Sequence, residues 1–217
     1  MLSTQPINLG LNINWARFSS TFIIEVTRGK NVFTSTAVAI GPKLLLTAAH
    51  CVDCTDKIRV LIGSDYLNPD NEVQVDHCIV HPGYNPSKSY YENDIAVIYL
   101  EENLPAFSFY EELETDLMLD ANTKLQRIGF GGRNSKNIRT WTNPSYQSVT
   151  FNKKNYVLND ELSVIGDSGG PIYAEFNGVL KLVALHSTLE GEGKTYAVNL
   201  SSYTDWLEDL IDISKVV

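Results

Sequence analysis

Short apolar segments recur along the chain, and turn-forming residues separate each one from the next. Residues with high strand propensity dominate them, as in residues 22–26, 57–63, 94–100 and 179–186. The breaks contain Gly-Pro, His-Pro-Gly-Tyr, Gly-Gly and Asn-Gly, which are typical turn sequences. Many short strands at regular spacing predict an antiparallel all-β protein, built either as a barrel or as a sandwich.

Two segments depart from this strand pattern. Near the C-terminus, Trp206, Leu210 and Ile213 recur at helical spacing behind a pair of serines that suit a helix N-cap. We therefore predict one amphipathic helix over residues 202–213, packed against the strands. Residues 101–122 are acidic and interrupted by proline, so this segment is predicted to connect two β-rich halves.

Charge and hydropathy argue against several kinds of partner. The formal net charge is −9 at pH 7, whereas binding to nucleic acid or to an anionic membrane needs clustered Lys and Arg. No apolar run approaches the ~18 residues of a membrane span. The chain has no positive charge before Arg17 and no sustained apolar stretch there, which does not match a secretory signal peptide. We expect a monomer without nucleic-acid or membrane binding. Three explanations are left open: the chain stays inside the cell, it is exported by another route, or a leader has been removed from it.

The three cysteines, Cys51, Cys54 and Cys78, do not form an even disulfide framework. The spacing of Cys51 and Cys54 is that of half a zinc knuckle or of a redox pair, but no second Cys or His pair lies nearby in the sequence. We therefore expect neither a metal nor another cofactor. The odd count favours a reducing compartment.

Three local motifs carry candidate chemistry. Residues 47–51 (Thr-Ala-Ala-His-Cys) follow an apolar segment, residues 93–96 (Asn-Asp-Ile-Ala) open another, and residues 166–171 (Gly-Asp-Ser-Gly-Gly-Pro) lie between two more. Taken singly, each has an ordinary structural explanation as a strand-end histidine, a capping aspartate or a glycine turn. Together they bring a histidine, an aspartate and a serine into one chain, in the order His50, Asp94, Ser168.

These motifs resemble those of the chymotrypsin/trypsin family, and the resemblance covers roughly residues 20–210. It implies a single peptidase domain over residues 1–217, made of two packed antiparallel six-stranded β-barrels and a C-terminal helix. The N-terminal barrel, residues 20–110, would hold His50 and Asp94. The C-terminal barrel, residues 121–200, would hold Ser168.

The resemblance also implies a reaction. A serine hydroxyl is a poor nucleophile at neutral pH and needs a base within hydrogen-bond reach. By resemblance, Ser168 is the nucleophile of a serine endopeptidase that acts through an acyl-enzyme, His50 is its general base and Asp94 orients His50. The backbone N–H groups of Gly166 and Ser168 would form the oxyanion hole. The substrate would be a protein or peptide.

Two other classes of function compete with this one. A protease-like binding module or a permanently locked zymogen could share the fold, since fold does not dictate function. An esterase of the α/β-hydrolase type would match Gly166–Gly170 as G-x-S-x-G, but its acid and histidine follow the serine in the chain. His50 and Asp94 both precede Ser168, so the order argues against the esterase.

Specificity is predicted to differ from that of trypsin. In the family the residue six before the nucleophile lies at the base of the primary pocket, and it is Leu162 here. Ser163 and His186 lie where glutamyl endopeptidases of the superfamily place a hydroxyl and an imidazole that bind an acidic side chain. An acidic preference and an apolar or small one both remain open. A basic preference would need a one-residue slip that brings Glu161 or Asp160 into the pocket.

Activation and disulfides also depart from the family pattern. Family zymogens are cut so that a new N-terminal amine pairs with the aspartate before the nucleophile, here Asp167. Residues 7–10 (Ile-Asn-Leu-Gly) are nearest by position to that N-terminus, but no Lys or Arg precedes them. Asp167 could use another donor, cleavage could follow another residue, or the chain could act unprocessed. Ser35 and Val164 stand where the family has cysteines, so no family disulfide is expected.

Overall fold

Strands make up most of the fold. The computed structural model describes residues 19–87, 90–105, 108, 111–112, 118–132 and 138–214. Its strands are β1 (Thr21–Arg28), β2 (Asn31–Gly41), β3 (Leu44–Thr47), β4 (Lys57–Ile62), β5 (Asn71–Val80), β6 (Ala96–Leu100), β7 (Leu125–Gly129), β8 (Thr140–Thr142), β9 (Ser145–Val149), β10 (Asn155–Asn159), β11 (Pro171–Phe176), β12 (Val179–Leu189) and β13 (Lys194–Asn199). The helices are α1 (Ala49–Val52), a 3-10 turn (Leu200–Tyr203) and α2 (Thr204–Ser214).

The N-terminal half is a closed antiparallel barrel with the strand order β1-β2-β3-β6-β5-β4. Strand β3 is apolar at successive positions because both of its faces are buried. Successive side chains of a strand point to opposite faces. Leu45 accordingly packs inside the barrel, whereas Leu44 and Leu46 pack against the second half of the molecule.

The C-terminal half is a curled sheet of seven strands in the order β8-β7-β11-β12-β13-β10-β9. The all-β class, the two packed β-rich units and the C-terminal helix are confirmed. In place of six strands in a closed barrel, the second unit has the three-residue strand β8 as an additional edge. This strand pairs with β7, and Thr142 at its end donates a hydrogen bond to Asp160.

An apolar layer joins the two halves. Leu46 of β3 and Val97 of β6 contribute to it from the first half, and Leu185 of β12 contributes from the second. Helix α2 covers one side of this layer with Leu207 and Leu210. The side chain of Ile213, which the sequence placed on the same face, lies outside the described part of the chain.

The helices begin a little differently from the prediction. Asn199, rather than a serine, caps the 3-10 turn, because its side chain accepts a hydrogen bond from the backbone of Ser201. None of the helices in the described residues is long and apolar enough to cross a membrane. Part of the predicted connector 101–122 lies outside the described residues, and the rest forms neither strand nor helix.

Candidate active site

His50 and Asp94 meet at the edge of the first barrel. His50 lies in the short helix α1, directly after β3, and Asp94 lies two residues before β6. Because β3 and β6 are hydrogen-bonded neighbours, the ends of both strands meet at this point. Asp94 Oδ2 is 2.8 Å from His50 Nδ1, and Asp94 Oδ1 accepts the backbone N–H of His50 at 2.8 Å. The carboxylate therefore holds both the ring and the backbone of His50.

Ser187 of β12 supplies a further donor to the same carboxylate. Its hydroxyl donates to Asp94 Oδ2 at 2.5 Å, and Asp94 itself is fully buried. Three hydrogen bonds hold this buried carboxylate in one position. Because its oxygens accept these bonds, the proton of neutral His50 belongs on Nδ1. The other ring nitrogen, Nε2, is then left as a proton acceptor.

The surroundings of His50 favour its protonated form. Burial of the ring lowers its pKa, but the neighbouring Cys51 sulfur and the hydrogen-bonded Asp94 carboxylate raise it by more, and the pKa lies well above 6.5. We give Asp94 the main weight among these groups, because one of its oxygens lies in direct hydrogen-bond contact with the ring, 2.8 Å from Nδ1. The surroundings therefore favour the imidazolium that forms when the ring takes a proton.

Ser168 lies in the loop between β10 and β11, and its hydroxyl is turned toward β12. Ser168 Oγ donates to the backbone carbonyl of Ser187 at 3.1 Å. Among the hydrogen bonds of the described residues, none joins Ser168 Oγ to His50 Nε2. Ser187 thus links the two halves of the candidate site, with its side chain on Asp94 and its carbonyl on Ser168.

The peptide groups around Gly166 leave two N–H donors open. The carbonyl of Ile165 accepts the N–H of Gly132 at 3.2 Å. In a trans peptide the N–H points away from the carbonyl, so the N–H of Gly166 is directed to the opposite side. Neither this N–H nor that of Ser168 donates to an acceptor in the described part of the chain. With its φ of +103°, Gly166 has a backbone conformation that suits glycine.

Thr36 of β2 ties this loop to the first barrel, and sequence reasoning did not single it out. Its hydroxyl donates to the carbonyl of Gly166 at 2.8 Å and accepts the N–H of Phe130 at 3.0 Å. Its own N–H donates to the carbonyl of Ser168 at 2.9 Å. Gly169 makes this approach possible, because a Cβ there would collide with Thr36 O and Thr47 Oγ1. A threonine in an apolar strand carries no local signal of these contacts.

Asp167, predicted to matter for activation, is buried beside a cation. Its Oδ1 lies 2.9 Å from Arg127 Nη1, and the same oxygen accepts the N–H of Gly131 at 2.9 Å. Arg127 Nε donates to Asp160 Oδ2 at 2.6 Å. Arg127 was not predicted from the sequence, although a charged residue within the predicted strand segment 124–130 could have indicated a buried ion pair. The alternative partner of Asp167 predicted in residues 7–10 lies outside the described residues.

The predicted pocket residues Ser163 and His186 are brought together. Ser163 Oγ and His186 Nε2 lie 2.6 Å apart, and His186 is buried in β12. Burial first, and then the charge of Arg127, lower the pKa of His186 to about 4, so its ring is neutral at pH 7. The third predicted pocket residue, Leu162, is 38% exposed, and its N–H donates to Asp160 Oδ1.

Comparison with known proteins assigns the family. The family model described as Trypsin matches residues 14–207, and the chain therefore belongs to the trypsin family of serine proteases. Its relatives include vitamin K-dependent protein C of Mus musculus, 30% identical over 212 residues, with 80% of this chain and 45% of that protein covered. Chymotrypsin-like elastase family member 1 of Bos taurus is 25% identical, with 79% and 76% covered. Urokinase-type plasminogen activator of Gallus gallus is 26% identical, with 86% and 52% covered.

The chain spans about half the length of several of these relatives, protein C and the plasminogen activator among them. Similar solved structures include HL collagenase, with a TM-score of 0.78, 19% identity, and 91% of this chain and 95% of that chain covered. The inactivated protease paralogue S-I1 of the scabies mite has a TM-score of 0.77 and 17% identity, with 94% and 98% covered. At these identities the structural likeness shows the fold alone.

Proposed function

We propose that the chain is a serine endopeptidase in which Ser168 is the nucleophile, His50 the general base and Asp94 the group that orients His50. The observation that carries the proposal is the buried Asp94 carboxylate, which accepts hydrogen bonds from His50 Nδ1 and from Ser187 Oγ. This arrangement supports one tautomer of His50 and stabilises the imidazolium that forms when the ring takes a proton.

In the proposed reaction, Ser168 Oγ bonds to the scissile carbonyl carbon and its proton passes to His50 Nε2. The carbonyl oxygen becomes an oxyanion, which the N–H groups of Gly166 and Ser168 bind. Each such donor contributes about 3 kcal/mol to transition-state stabilisation. Cleavage of the C–N bond releases the amine, which takes the proton from His50 and leaves an acyl-enzyme. Water activated by the same histidine then hydrolyses the ester and restores Ser168.

A locked, non-catalytic state is the second candidate, and one observation favours it. Ser168 Oγ donates to the Ser187 carbonyl and not to His50. In an active enzyme this hydroxyl turns about its Cα–Cβ bond into another staggered rotamer, and such catalytic hydrogen bonds often tighten only when substrate binds. In a locked chain it keeps its present partner.

Labelling with a fluorophosphonate probe separates the two candidates. We expect one probe per folded chain, attached at Ser168, because the probe reacts with a serine only when a base and an oxyanion hole are both in place. Ser168→Ala should abolish labelling, while Ser163→Ala, which keeps the proposed nucleophile, should retain it. Measurement is by intact mass and peptide mapping, with circular dichroism as the check of folding. Folded protein that takes no probe would support the locked state instead.

We further propose that the primary pocket accepts an acidic side chain through the Ser163–His186 pair. When neutral His186 carries its proton on Nε2, the ring donates to Ser163 Oγ, and the serine proton can be donated to a substrate carboxylate. Asp160, one of the two acids that a basic substrate could use, is instead held by Arg127. The positive charge of Arg127 faces Asp160 and Asp167, so it is not directed at the substrate. The Ser163–His186 pair therefore binds a carboxylate by hydrogen bonding alone, and the preference for Glu should be modest.

A peptide library read at the position before the cut tests this pocket. We expect Glu to exceed Leu by about 10-fold in kcat/KM, the value of one hydrogen bond to a charged group. A bound carboxylate favours protonated His186, so the ratio of Glu to Leu should rise as the pH falls from 8 to 5. His50 affects both substrates equally and cancels in this ratio. Cleavage after Phe or Leu that His186→Ala leaves unchanged would count against an acidic pocket, and cleavage after Arg or Lys would refute it.

A further inference from the structure

We infer that Arg127 is a positioning residue that holds Asp167, so that the nucleophile loop assembles without a positive charge from a newly cut N-terminus. The inference rests on the proposed protease function and adds the way in which that function is switched on. It is carried by the buried ion pairs that Arg127 of β7 makes with two carboxylates of the loop between β10 and β11, and by the contacts of those carboxylates within the loop.

Arg127 is fully enclosed. It lies in β7, its side chain has no exposed surface, and the side chains of its partners Asp160 and Asp167 are 3% and 1% exposed. A buried guanidinium without partners would be strongly unfavourable. Here it faces two carboxylates, at 2.6 Å from Nε to Asp160 and at 2.9 Å from Nη1 to Asp167. The position that a cation must occupy to stabilise Asp167 is therefore filled from within the folded chain.

The strand around Arg127 is shaped for this approach. Gly129 lies two residues further along β7, and a Cβ there would collide with Asp167 Oδ1 and crowd Arg127 Nη1. A Cβ at Gly131 would likewise lie against Asp167 Oδ1, at 2.6 Å. The missing side chains leave the carboxylate room to reach both the guanidinium and the N–H of Gly131.

The two carboxylates lie at the ends of a segment that contains Gly166 and leads directly into Ser168, the two residues of the proposed oxyanion hole. Asp160 Oδ1 accepts the N–H of Leu162 at the start of the segment, and Asp167 Oδ2 accepts the N–H of Val164 within it. One guanidinium therefore fixes both ends of residues 160–167. This anchoring also fixes the backbone of Gly166 and of Ser168, because Asp167 lies between them in the chain.

Arg127 also differs from an amine in its titration. Burial lowers the pKa of Arg127, but the two carboxylates outweigh that effect and raise the pKa above its usual value. An α-amine has an ordinary pKa near 8 and loses its charge in mild alkali. An active site held by an amine would thus fail as the pH rises, whereas one held by Arg127 keeps its charge partner.

The first test leaves the site intact and displaces the N-terminus. We would add ten residues before Met1, verify by intact mass that they remain, and titrate the enzyme with the fluorophosphonate probe. We expect the extended chain to show the same labelled fraction as the original, within about 2-fold, and to keep its kcat from pH 8 to 10. Labelling confined to cleaved chains, or loss of kcat with a midpoint near pH 8, would overturn the role of Arg127. If neither form is labelled, the proposed function itself fails.

The second test removes the guanidinium. Arg127→Met should lower kcat by about 100-fold, the effect of losing one oxyanion donor, and added guanidinium ion should restore part of it. The kcat of Arg127→Lys should lie between that of Arg127→Met and that of the original enzyme. If Arg127→Met does not fold, Arg127→Met combined with Asp160→Asn and Asp167→Asn removes all three buried charges and should fold with the same low kcat.

The matched control is Arg139→Met. Arg139 is another buried arginine, but it donates to the backbone carbonyls of Thr21 and Gly63. This variant should lower the melting temperature and leave kcat per labelled site unchanged. A folded Arg127→Met enzyme with the original kcat, or an equal loss of kcat in Arg139→Met, would show that Arg127 has no specific role in the site.

Discussion

Replacement of His50 by alanine is expected to lower kcat by about 10⁶-fold, the size of effect found when the histidine of a serine–histidine pair is removed. Ser168 then has no base to take its proton, and the leaving amine has no acid to protonate it. KM should change little, because the ring is not among the proposed pocket residues. Initial rates over a range of peptide concentrations, normalised to folded protein, measure both constants.

The control for this variant is His77→Ala. His77 is an exposed histidine beside Asp76, and its ring stacks on Tyr99 away from the candidate site. Its loss should leave kcat within about 2-fold, as is usual for surface substitutions. A His50→Ala enzyme within 10-fold of the original would remove His50 from the proposed mechanism.

Asp94→Asn is expected to lower kcat by about 10⁴-fold, the size known for this substitution in the same family. Three donors point at the Asp94 carboxylate: the N–H and Nδ1 of His50 and the hydroxyl of Ser187. An amide has one acceptor oxygen, so its NH₂ group must face at least one of these partners. If it faces His50 Nδ1, the ring takes the tautomer with the proton on Nε2 and can no longer accept the proton of Ser168.

The pH dependence distinguishes this cause from a general loss of structure. Without the negative charge of Asp94, the pKa of His50 should fall from its raised value, so the remaining activity should appear at lower pH than in the original enzyme. A kcat profile from pH 5 to 10 measures the shift. Exposed Asp76→Asn is the control and should leave the profile unchanged. An unaltered midpoint in Asp94→Asn would mean that the carboxylate does not act on the ring.

Local patterns predicted most strands but not all of them. Strand β6 is a continuous apolar run and β1 contains the apolar segment Phe-Ile-Ile, which a sequence shows directly. Most of β5 was missed, because its residues before Cys78 are mainly polar, and all of them except the buried Val73 are at least partly exposed. Strand β10 was missed because its five residues begin and end with asparagine, and only pairing with β9 and β13 makes them a strand.

The residues of the candidate site likewise divide into those that the sequence predicted and those that it did not. His50, Asp94 and Ser168 were found because the three motifs that carry them occur together, in an order that resembles the chymotrypsin/trypsin family. Thr36 and Arg127 were not found, since their roles depend on residues about 130 and 40 positions away in the chain.

The amino-acid sequence by itself determined the all-β class, the C-terminal helix and the three residues proposed for catalysis, because short apolar segments, helical spacing and short motifs are local properties of a chain. Only the tertiary structure decided which side chains lie in contact with each other. It turned Ser168 toward Ser187, paired neutral His186 with Ser163, and enclosed Arg127 between Asp160 and Asp167. A buried charge is stable only beside a partner, and that partner is chosen by packing between distant segments, which no local pattern records.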